Sequence, residues 1–195
     1  MPKRDLSIVW QPISLLEKNQ PEPGSEYYEA SLQTHRYLRV MEAVRRSVEG
    51  SGQRAVTVLG DEGTISDPLF RYYWELGRRI HHDGELVFDV AEVLEAVGLD
   101  PGLAVAADDE AWDSEIRRRM DDGLDLTGTD VGTPLIAFDD ENGDRVGLFG
   151  PVITEVPAPD ASVRLWDGFV AMATTPGFWE AKRTRTERPD FGDRP

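Results

Sequence analysis

The sequence predicts an α/β protein in which a small sheet is covered by helices and interrupted by a long helical insertion. Three observations carry this prediction: a short apolar strand near the start, helical periodicity through the middle of the chain, and a strand–turn–strand pattern after residue 130 that leads into a further helix. A lone strand or an isolated two-stranded hairpin has at most marginal stability in water. We therefore expect the first strand and the hairpin to share one sheet.

The first elements are a strand, a loop and a long helix. Residues 6–12 read LSIVWQP, a β-branched and aromatic run that ends at a proline and favours a strand. A polar loop over 17–25 follows, and Ser25 is a helix-capping residue. Apolar residues at helical spacing then predict a helix over 26–49. The glycine-rich stretch 50–66 is interpreted as a long connection.

The middle of the chain alternates helical periodicity with stop signals. Asp67 stands before a proline at the first helical position, and Asp83-Gly84 ends that helix. Asp89 opens a capping box for the next helix, which Gly98 ends. Two further helical segments are predicted over 101–107 and from Asp108 or Asp109 to about Leu124.

The last part of the chain predicts a hairpin and a helix. Residues 133–138 and 145–149 favour strands, and the turn between them is rich in Asp, Asn and Gly. Asp160 is expected to cap the following helix, and Pro176 to begin a last turn or short helix that reaches about Arg183.

Composition excludes several classes of function. The 195 residues carry 37 acidic and 21 basic side chains, a formal charge of −16, which disfavours nucleic acid or an anionic membrane as a partner. There is no cysteine, which excludes disulfides, cysteine-based metal sites and thiol chemistry by this chain alone. No apolar run approaches the roughly 18 residues needed to cross a bilayer, and the start lacks a signal-peptide core. We expect a cytoplasmic protein.

The histidines and the acidic turn predict no metal site. His35, His81 and His82 have no further histidine or cysteine at ligand spacing, and His81-His82 is typical of a solvated helix end. The turn over 139–144 lacks the spacing of a calcium loop. No catalytic residue is assigned, since neither a nucleophile elbow nor a phosphate-binding glycine loop is present.

The segment Val131-Gly132-Thr133-Pro134 is the most informative short stretch. Proline has no N–H to donate, so Pro134 must stand at the first residue of a strand or at a sheet edge. A cis bond before Pro134 would leave the backbone amide and carbonyl of Thr133 free to pair with an extended partner.

At these residues the chain resembles the DsbA-like proteins of the thioredoxin superfamily, in particular the actinobacterial mycothiol-dependent nitroreductase group. The V-G-T-P segment and the K-R-T-R-T segment at their observed separation are together fairly specific. The matching stretches are DLSIVWQPISLLEKN (5–19), ELGRRIHHDGE (75–85), DVGTPLIAF (130–138), GLFGPVI (147–153) and FWEAKRTRTERPDF (178–191).

The resemblance implies a fold and a set of site residues. It implies an incomplete thioredoxin-like core over 1–20 and 129–183, a helical insertion over 21–128 and a C-terminal tail over 184–195. By this resemblance Pro134 matches the family's cis-proline, and Thr133 matches the residue whose backbone contacts the thiol substrate. Asn19 and Tyr28, on either side of the loop after the first strand, are expected to line the same pocket.

The sequence also departs from the family pattern. Family members open with a strand, a C-P-W-C-like redox motif and a helix, and the sequence contains none of these. We therefore expect an N-terminally truncated core, with a slot beside residues 6–12. An in-frame stop codon just upstream of Met1 would contradict this expectation.

The function implied by the resemblance is that of a DsbA-family thiol-dependent oxidoreductase. It would exchange disulfides or use mycothiol, or a similar small thiol, as co-substrate to reduce electrophiles such as nitro compounds, and it would be inactive as this cysteine-free chain. The expected partners are that thiol and a small electrophile or a protein disulfide, with a homodimer possible through an exposed edge. Two alternatives stay open: a non-redox thiol-dependent isomerase or transferase on the same fold, and a non-catalytic binding domain.

Overall fold

The computed structural model describes residues 4–60, 63–65 and 67–195 and divides into two compact units. The first, here called the helical unit, comprises Asp5–Asp121 with Arg194 and Pro195. The second, the hairpin unit, comprises Asp122–Asp193 with Arg4. The assignment of 1–20 and 129–183 to a thioredoxin-like core, with 21–128 as an insertion, stays a prediction.

The strands of the helical unit form a small antiparallel sheet. β1 (Leu6–Ile8) pairs with β2 (Thr57–Gly60), and β2 pairs with β3 (Gly63–Ile65). The interpretation of 50–66 as a connection without strands is therefore wrong, although residues 61, 62 and 66 lie outside the described part. The β-branched residues of AVTVL suit a pleated strand, and β1 needs a ladder partner for its backbone groups.

The hairpin unit contains the second sheet. β4 (Leu135–Asp139) pairs with β5 (Arg145–Phe149), with Ala137 opposite Gly147. The predicted hairpin is confirmed. The expectation of one shared sheet is wrong for the described strands, because β1 takes β2 as its partner and β4 takes β5. A short turn brings β4 and β5 together at little loop-closure cost.

Six α-helices are described, with two short 3₁₀ helices at Pro101–Asp108 and Glu110–Trp112. The predicted caps Ser25, Asp67 and Asp89 each accept a hydrogen bond from a backbone N–H of the first turn, as expected for N-caps. The helices are α1 (Leu15–Asn19), α2 (Glu26–Gly50), α3 (Pro68–His81), α4 (Val90–Ala96), α5 (Asp113–Thr127) and α6 (Pro159–Ala173).

Two predictions near the C-terminus have different outcomes: the cap at Asp160 is wrong, whereas the segment from Pro176 forms the predicted turn and not a helix. Helix α6 begins at Pro159 after Ala158, which forms no side-chain cap, so Asp160 lies in the first turn instead of capping it. Proline at the first helical position is favourable because its missing N–H would have no partner there. A turn is present at Pro176 and Gly177, and no helix follows it over 178–183. Gly177 has a φ of +80°, which ends the turn, and so short a helix has little stability of its own.

The buried core of the helical unit lies where α2 packs against α3 and the first 3₁₀ helix, and α4 packs on both of these. Tyr37 of α2 stacks on Phe88 with ring centroids 4.9 Å apart. The other fully buried apolar side chains include Val40, Val44, Leu69, Tyr72, Val93 and Leu94. In the hairpin unit Phe169 is buried beside the rings of Phe138 and Trp166. Among the described residues, no helix is both long and apolar enough to cross a membrane.

Candidate functional site

The predicted thiol-binding segment lies at the open end of the hairpin. Thr133 and Pro134 are exposed and directly precede β4. The Thr133–Pro134 peptide bond is cis, as is Gly150–Pro151 just beyond β5. The backbone N–H of Gly150 donates to the carbonyl of Pro134 at 2.8 Å, which ties the two strand ends together.

The backbone of Thr133 is left available by this arrangement. Within the part of the chain that the structure describes, no backbone hydrogen bond involves Thr133, because the ladder begins at Leu135 opposite Phe149. The ring of Phe149 lies beside the segment, since a Cβ placed on Gly132 would be 3.4 Å from its edge. An exposed, unpaired backbone segment next to an aromatic ring is suited to bind an extended partner through main-chain hydrogen bonds.

Close packing under the hairpin positions this segment. A Cβ on Gly147 of β5 would come within 2.9 Å of the Leu126 side chain at the end of α5. Only glycine permits that approach without a shift of the strand. Leu135 lies similarly close to Gly123 of the same helix. The end of α5 therefore determines how closely β4 and β5 pack against this helix, and with it the position of Thr133.

Asn19 and Tyr28 take different roles in the helical unit. Asn19 is the last residue of α1, and its side-chain amide donates to the hydroxyl of Tyr27 at 2.5 Å. Tyr28 is half-buried in the first turn of α2, where its backbone N–H donates to Ser25 Oγ. The structure thus joins Asn19 to Tyr27. A pocket shared by Asn19, Tyr28 and Thr133 stays a prediction.

A buried hydrogen-bond chain in the helical unit was not foreseen. Ser14 Oγ lies 2.8 Å from His35 Nδ1, and His35 Nε2 lies 3.0 Å from Asp113 Oδ1. Ser14 has no exposed surface and His35 is 1% exposed. Separations of 21 and 78 positions leave no spacing signal in the sequence. Only the tertiary structure brings together the N-cap of α1, the side chain of His35 on α2 and the first residue of α5.

Hydrogen-bond accounting assigns the tautomer of His35. Ser14 Oγ accepts the backbone N–H of Glu17, so its own proton is free to donate to His35 Nδ1. His35 Nε2 then carries the proton and donates it to Asp113. In this arrangement Ser14, His35 and Asp113 each have a hydrogen-bond partner within the series. A serine–histidine–aspartate series is also found in hydrolases, but the fully buried Ser14 cannot reach a substrate.

Charge balance argues against a metal ion at the same place. Glu17, His35 and Asp113 each offer one ligand atom, and these atoms lie within 4.8 Å of one another. Arg117 pairs with Glu17 at 2.7 Å, and Arg39 donates to both oxygens of Asp113 at 2.6 and 2.8 Å. The two guanidinium groups already supply the positive charge that an ion would bring. This donor set fits an ion-paired cluster better than a cation site.

The same contacts determine the ionisation of Asp113. Partial burial acts to raise the pKa of its carboxyl group. The hydrogen bonds from Arg39 and His35 act the other way and together outweigh burial, so the pKa of Asp113 is held below its ordinary value. The carboxylate therefore stays charged at neutral pH and keeps the basic side chains oriented.

Comparison with known protein families finds a match along nearly the whole chain. The model of a family described as Rv2466c-like, mycothiol-dependent nitroreductase Rv2466c, covers residues 3–183. The matched range includes most of both units of the structure and the exposed Thr133–Pro134 segment.

Proposed function

The chain belongs to the Rv2466c-like family of mycothiol-dependent nitroreductases, and from that premise we propose that it binds mycothiol through the backbone of Thr133, as the thiol-binding site of a mycothiol-dependent reduction of nitro compounds. The choice of Thr133 as the binding site rests on one observation. Thr133 combines an exposed position with a backbone that makes no hydrogen bond among the described residues. Mycothiol is a co-substrate in this proposal and not a resident cofactor.

The fold proposed for this site is the DsbA-like one. The hairpin followed by α6 supports it, because a proline stands directly before β4 and the strand order after it agrees with the core that the resemblance implies. Residues 1–20 and 129–183 would form that core, with 21–128 inserted. An experimental structure with the fold of an unrelated class would contradict this assignment.

The redox step has a definite balance. Two thiols reduce a nitro group to a nitroso group: the two sulfurs lose one electron each and join in a disulfide, and one nitro oxygen leaves as water with the two protons. The 195 residues contain no cysteine, so both sulfurs belong to mycothiol or to a cysteine outside these residues. The chain contributes the thiol-binding site, and by itself it accelerates neither thiol exchange nor nitro reduction.

Binding at Thr133 follows from ordinary main-chain chemistry. The free N–H donates to an amide carbonyl of the thiol compound, and the free carbonyl accepts from an amide N–H, as when a strand is added to a sheet edge. Phe149 covers one side of the bound thiol. Disulfide exchange with a protein would use the same backbone segment.

The formal charge of −16 supports a small thiol and electrophile as partners over nucleic acid, and a reducing cytoplasm is where free thiols persist.

A titration of the labelled chain with mycothiol tests the binding site. We expect saturable amide chemical-shift changes centred on Gly132, Thr133 and Leu135. Thr133→Val keeps the shape and the backbone while removing the hydroxyl, so it should bind mycothiol with a dissociation constant within about twofold of the wild type. Absence of saturable changes, or changes centred elsewhere, would contradict the proposal.

A second measurement tests the redox assignment. With excess mycothiol and a nitroarene, mass spectrometry should show no mixed disulfide on the chain, and the rate of nitro reduction should equal that of the thiol without protein. Acceleration by the chain alone would overturn its assignment as inactive and leave the binding site to be judged by the titration.

A further inference from the structure

A cleft of about 450 Å³ opens on the helical unit between α3 and the end of α4. Its α3 wall consists of Arg71, Trp74, Glu75 and Arg78. These positions are spaced as i, i+3, i+4 and i+7, so they form one stripe along the helix. The opposite wall is the backbone and small side chains of 96–98. One helix face thus presents an aromatic ring between two guanidinium groups.

Trp74 is an exposed but supported ring. Half of its surface is accessible to solvent. Its ring packs on Phe70 with centroids 5.7 Å apart, and Phe70 stacks on Trp10 at 5.3 Å. The indole N–H of Trp10 donates to Thr57 Oγ1 at 3.0 Å, which anchors the series in the sheet. A large exposed indole held from behind in this way is a preorganised stacking surface.

The two guanidinium groups are held in place and keep donors to spare. Arg71 donates one N–H to the carbonyl of Val97 at 2.8 Å, at the end of α4. Arg78 donates one N–H to Glu75 at 2.8 Å, while its Nε is buried and has no hydrogen-bond partner among the described residues. A guanidinium carries five N–H groups, so each arginine can donate further hydrogen bonds to a ligand.

The charge of the cleft differs in sign from that of the chain. Two arginines face the single carboxylate of Glu75, which also accepts from Arg79 at 3.1 Å. A chain with a formal charge of −16 therefore presents cationic donors on both sides of an aromatic face. Arginine forks match the geometry of a carboxylate, and an indole face stacks favourably on an electron-poor ring.

We propose that this cleft binds a flat, electron-poor aromatic ring that carries an anionic oxygen group, of which an aromatic carboxylate is the simplest example. The ring stacks on Trp74, and the oxygen atoms accept hydrogen bonds from Arg71 and Arg78. The site lies entirely in the helical unit and involves neither Thr133 nor a thiol. This inference therefore does not depend on the proposed function, and the mycothiol titration does not test it.

Calorimetric titration of the full chain with 4-nitrobenzoate tests the cleft, since this probe has both an electron-poor ring and a carboxylate. We expect saturable binding that Trp74→Leu and Arg78→Gln each weaken about tenfold, the size of one stacking contact or one charged hydrogen bond. Cyclohexanecarboxylate, which lacks the flat ring, and nitrobenzene, which lacks the charge, should each bind about tenfold more weakly than 4-nitrobenzoate.

Matched controls separate the cleft from general effects. Trp179→Leu removes a tryptophan that is 87% exposed elsewhere, and Arg36→Gln removes an arginine outside the cleft; both should bind the probe as the wild type does. Thermal melting checks the fold of each variant. If Arg78→Gln does not melt cooperatively, Arg78→Lys replaces it, because lysine keeps the charge but loses the fork. Absence of saturable binding, equal weakening in the controls, or equal affinity for nitrobenzene would overturn the proposal.

Discussion

The two units differ in how much apolar surface they bury. In the helical unit α2, α3 and α4 enclose a continuous core in which Val40, Leu69 and Leu94 have no exposed surface. Among the described residues of the hairpin unit, Leu124 and Phe169 are the apolar side chains that reach full burial. Large apolar side chains stay exposed there, including Val156 at 88%. The contrast shows that buried core and proposed binding surface are distributed unequally, because the segment proposed to bind the thiol belongs to the unit with the smaller core.

Removal of the central aromatic ring of the hairpin unit should lower the free energy of unfolding the most. Phe169 packs between Phe138 and Trp166, and Phe169→Ala should cost about 3–5 kcal/mol of free energy of unfolding, as for other buried aromatic side chains. Amide hydrogen exchange should show protection lost in β4 and β5 and kept in α2. Equal loss in α2 would show that the two units unfold as one and would break the comparison.

A core truncation in the helical unit provides the reciprocal test. Leu94→Ala removes a side chain with no exposed surface and should cost about 2–5 kcal/mol of free energy of unfolding. The loss of protection should then be centred on α2 and α4. Val87→Ala, at a side chain that is 75% exposed, is the matched control and should change stability by less than about 0.5 kcal/mol. Similar costs for the two substitutions would contradict the assigned core.

Disruption of the buried cluster around Asp113 should lower the free energy of unfolding by a smaller amount. Asp113→Asn leaves Arg39 without its carboxylate partner and should cost about 1–3 kcal/mol in a denaturant titration. Asp108→Asn removes a carboxylate that is 77% exposed and pairs with Arg36, and should cost less than about 0.5 kcal/mol. Equal costs would show that the cluster contributes no more than a surface ion pair.

The pH dependence of stability should identify Asp113 independently. Its pKa is held below the ordinary value in the folded protein, so the folded state gains stability from this carboxylate above the unfolded pKa of about 3.9. That stability is lost as the pH falls through the lower folded pKa. The stability difference between the wild type and Asp113→Asn should be constant from about pH 7 to 5 and shrink below about pH 4. A constant difference down to pH 2 would contradict this account.

The smallest effect is expected at an exposed ring of the hairpin unit. Trp179 is 87% exposed, and Trp179→Ala should change the free energy of unfolding by less than about 0.5 kcal/mol. A cost above 1 kcal/mol would show that the ring is covered in solution, which would sharpen the comparison by locating an interface on the hairpin unit.

Local signals in the sequence predicted much of the fold. The capping residues Ser25, Asp67 and Asp89 locate three helix starts correctly, because a cap acts through bonds within its own first turn. The Asn-Gly turn and its flanking strands predict the hairpin for the same reason. The strand β2 was missed because its partner β1 lies some fifty positions away. The strand β3 pairs with the adjacent β2, and it was missed together with that strand.

The features of the candidate site were likewise predicted only where a local rule applies. Pro134 at the start of β4 was placed by a local rule, since proline cannot donate within a sheet. The hydrogen bond that joins Asn19 to Tyr27, the chain from Ser14 through His35 to Asp113, and the cleft beside Trp74 were not foreseen. Each depends on which faces of separate elements meet.

By itself the amino-acid sequence determined three helix starts, the hairpin, the acidic charge and the absence of any thiol, because these follow from residue identity and from contacts within a few positions. The tertiary structure alone decided the pairing of β1 with β2, the hydrogen-bond series from Ser14 through His35 to Asp113 and the placing of two arginines around an exposed indole. The physical reason is that these features require the burial of one surface against another, and many pairings of the same elements satisfy the local rules equally well.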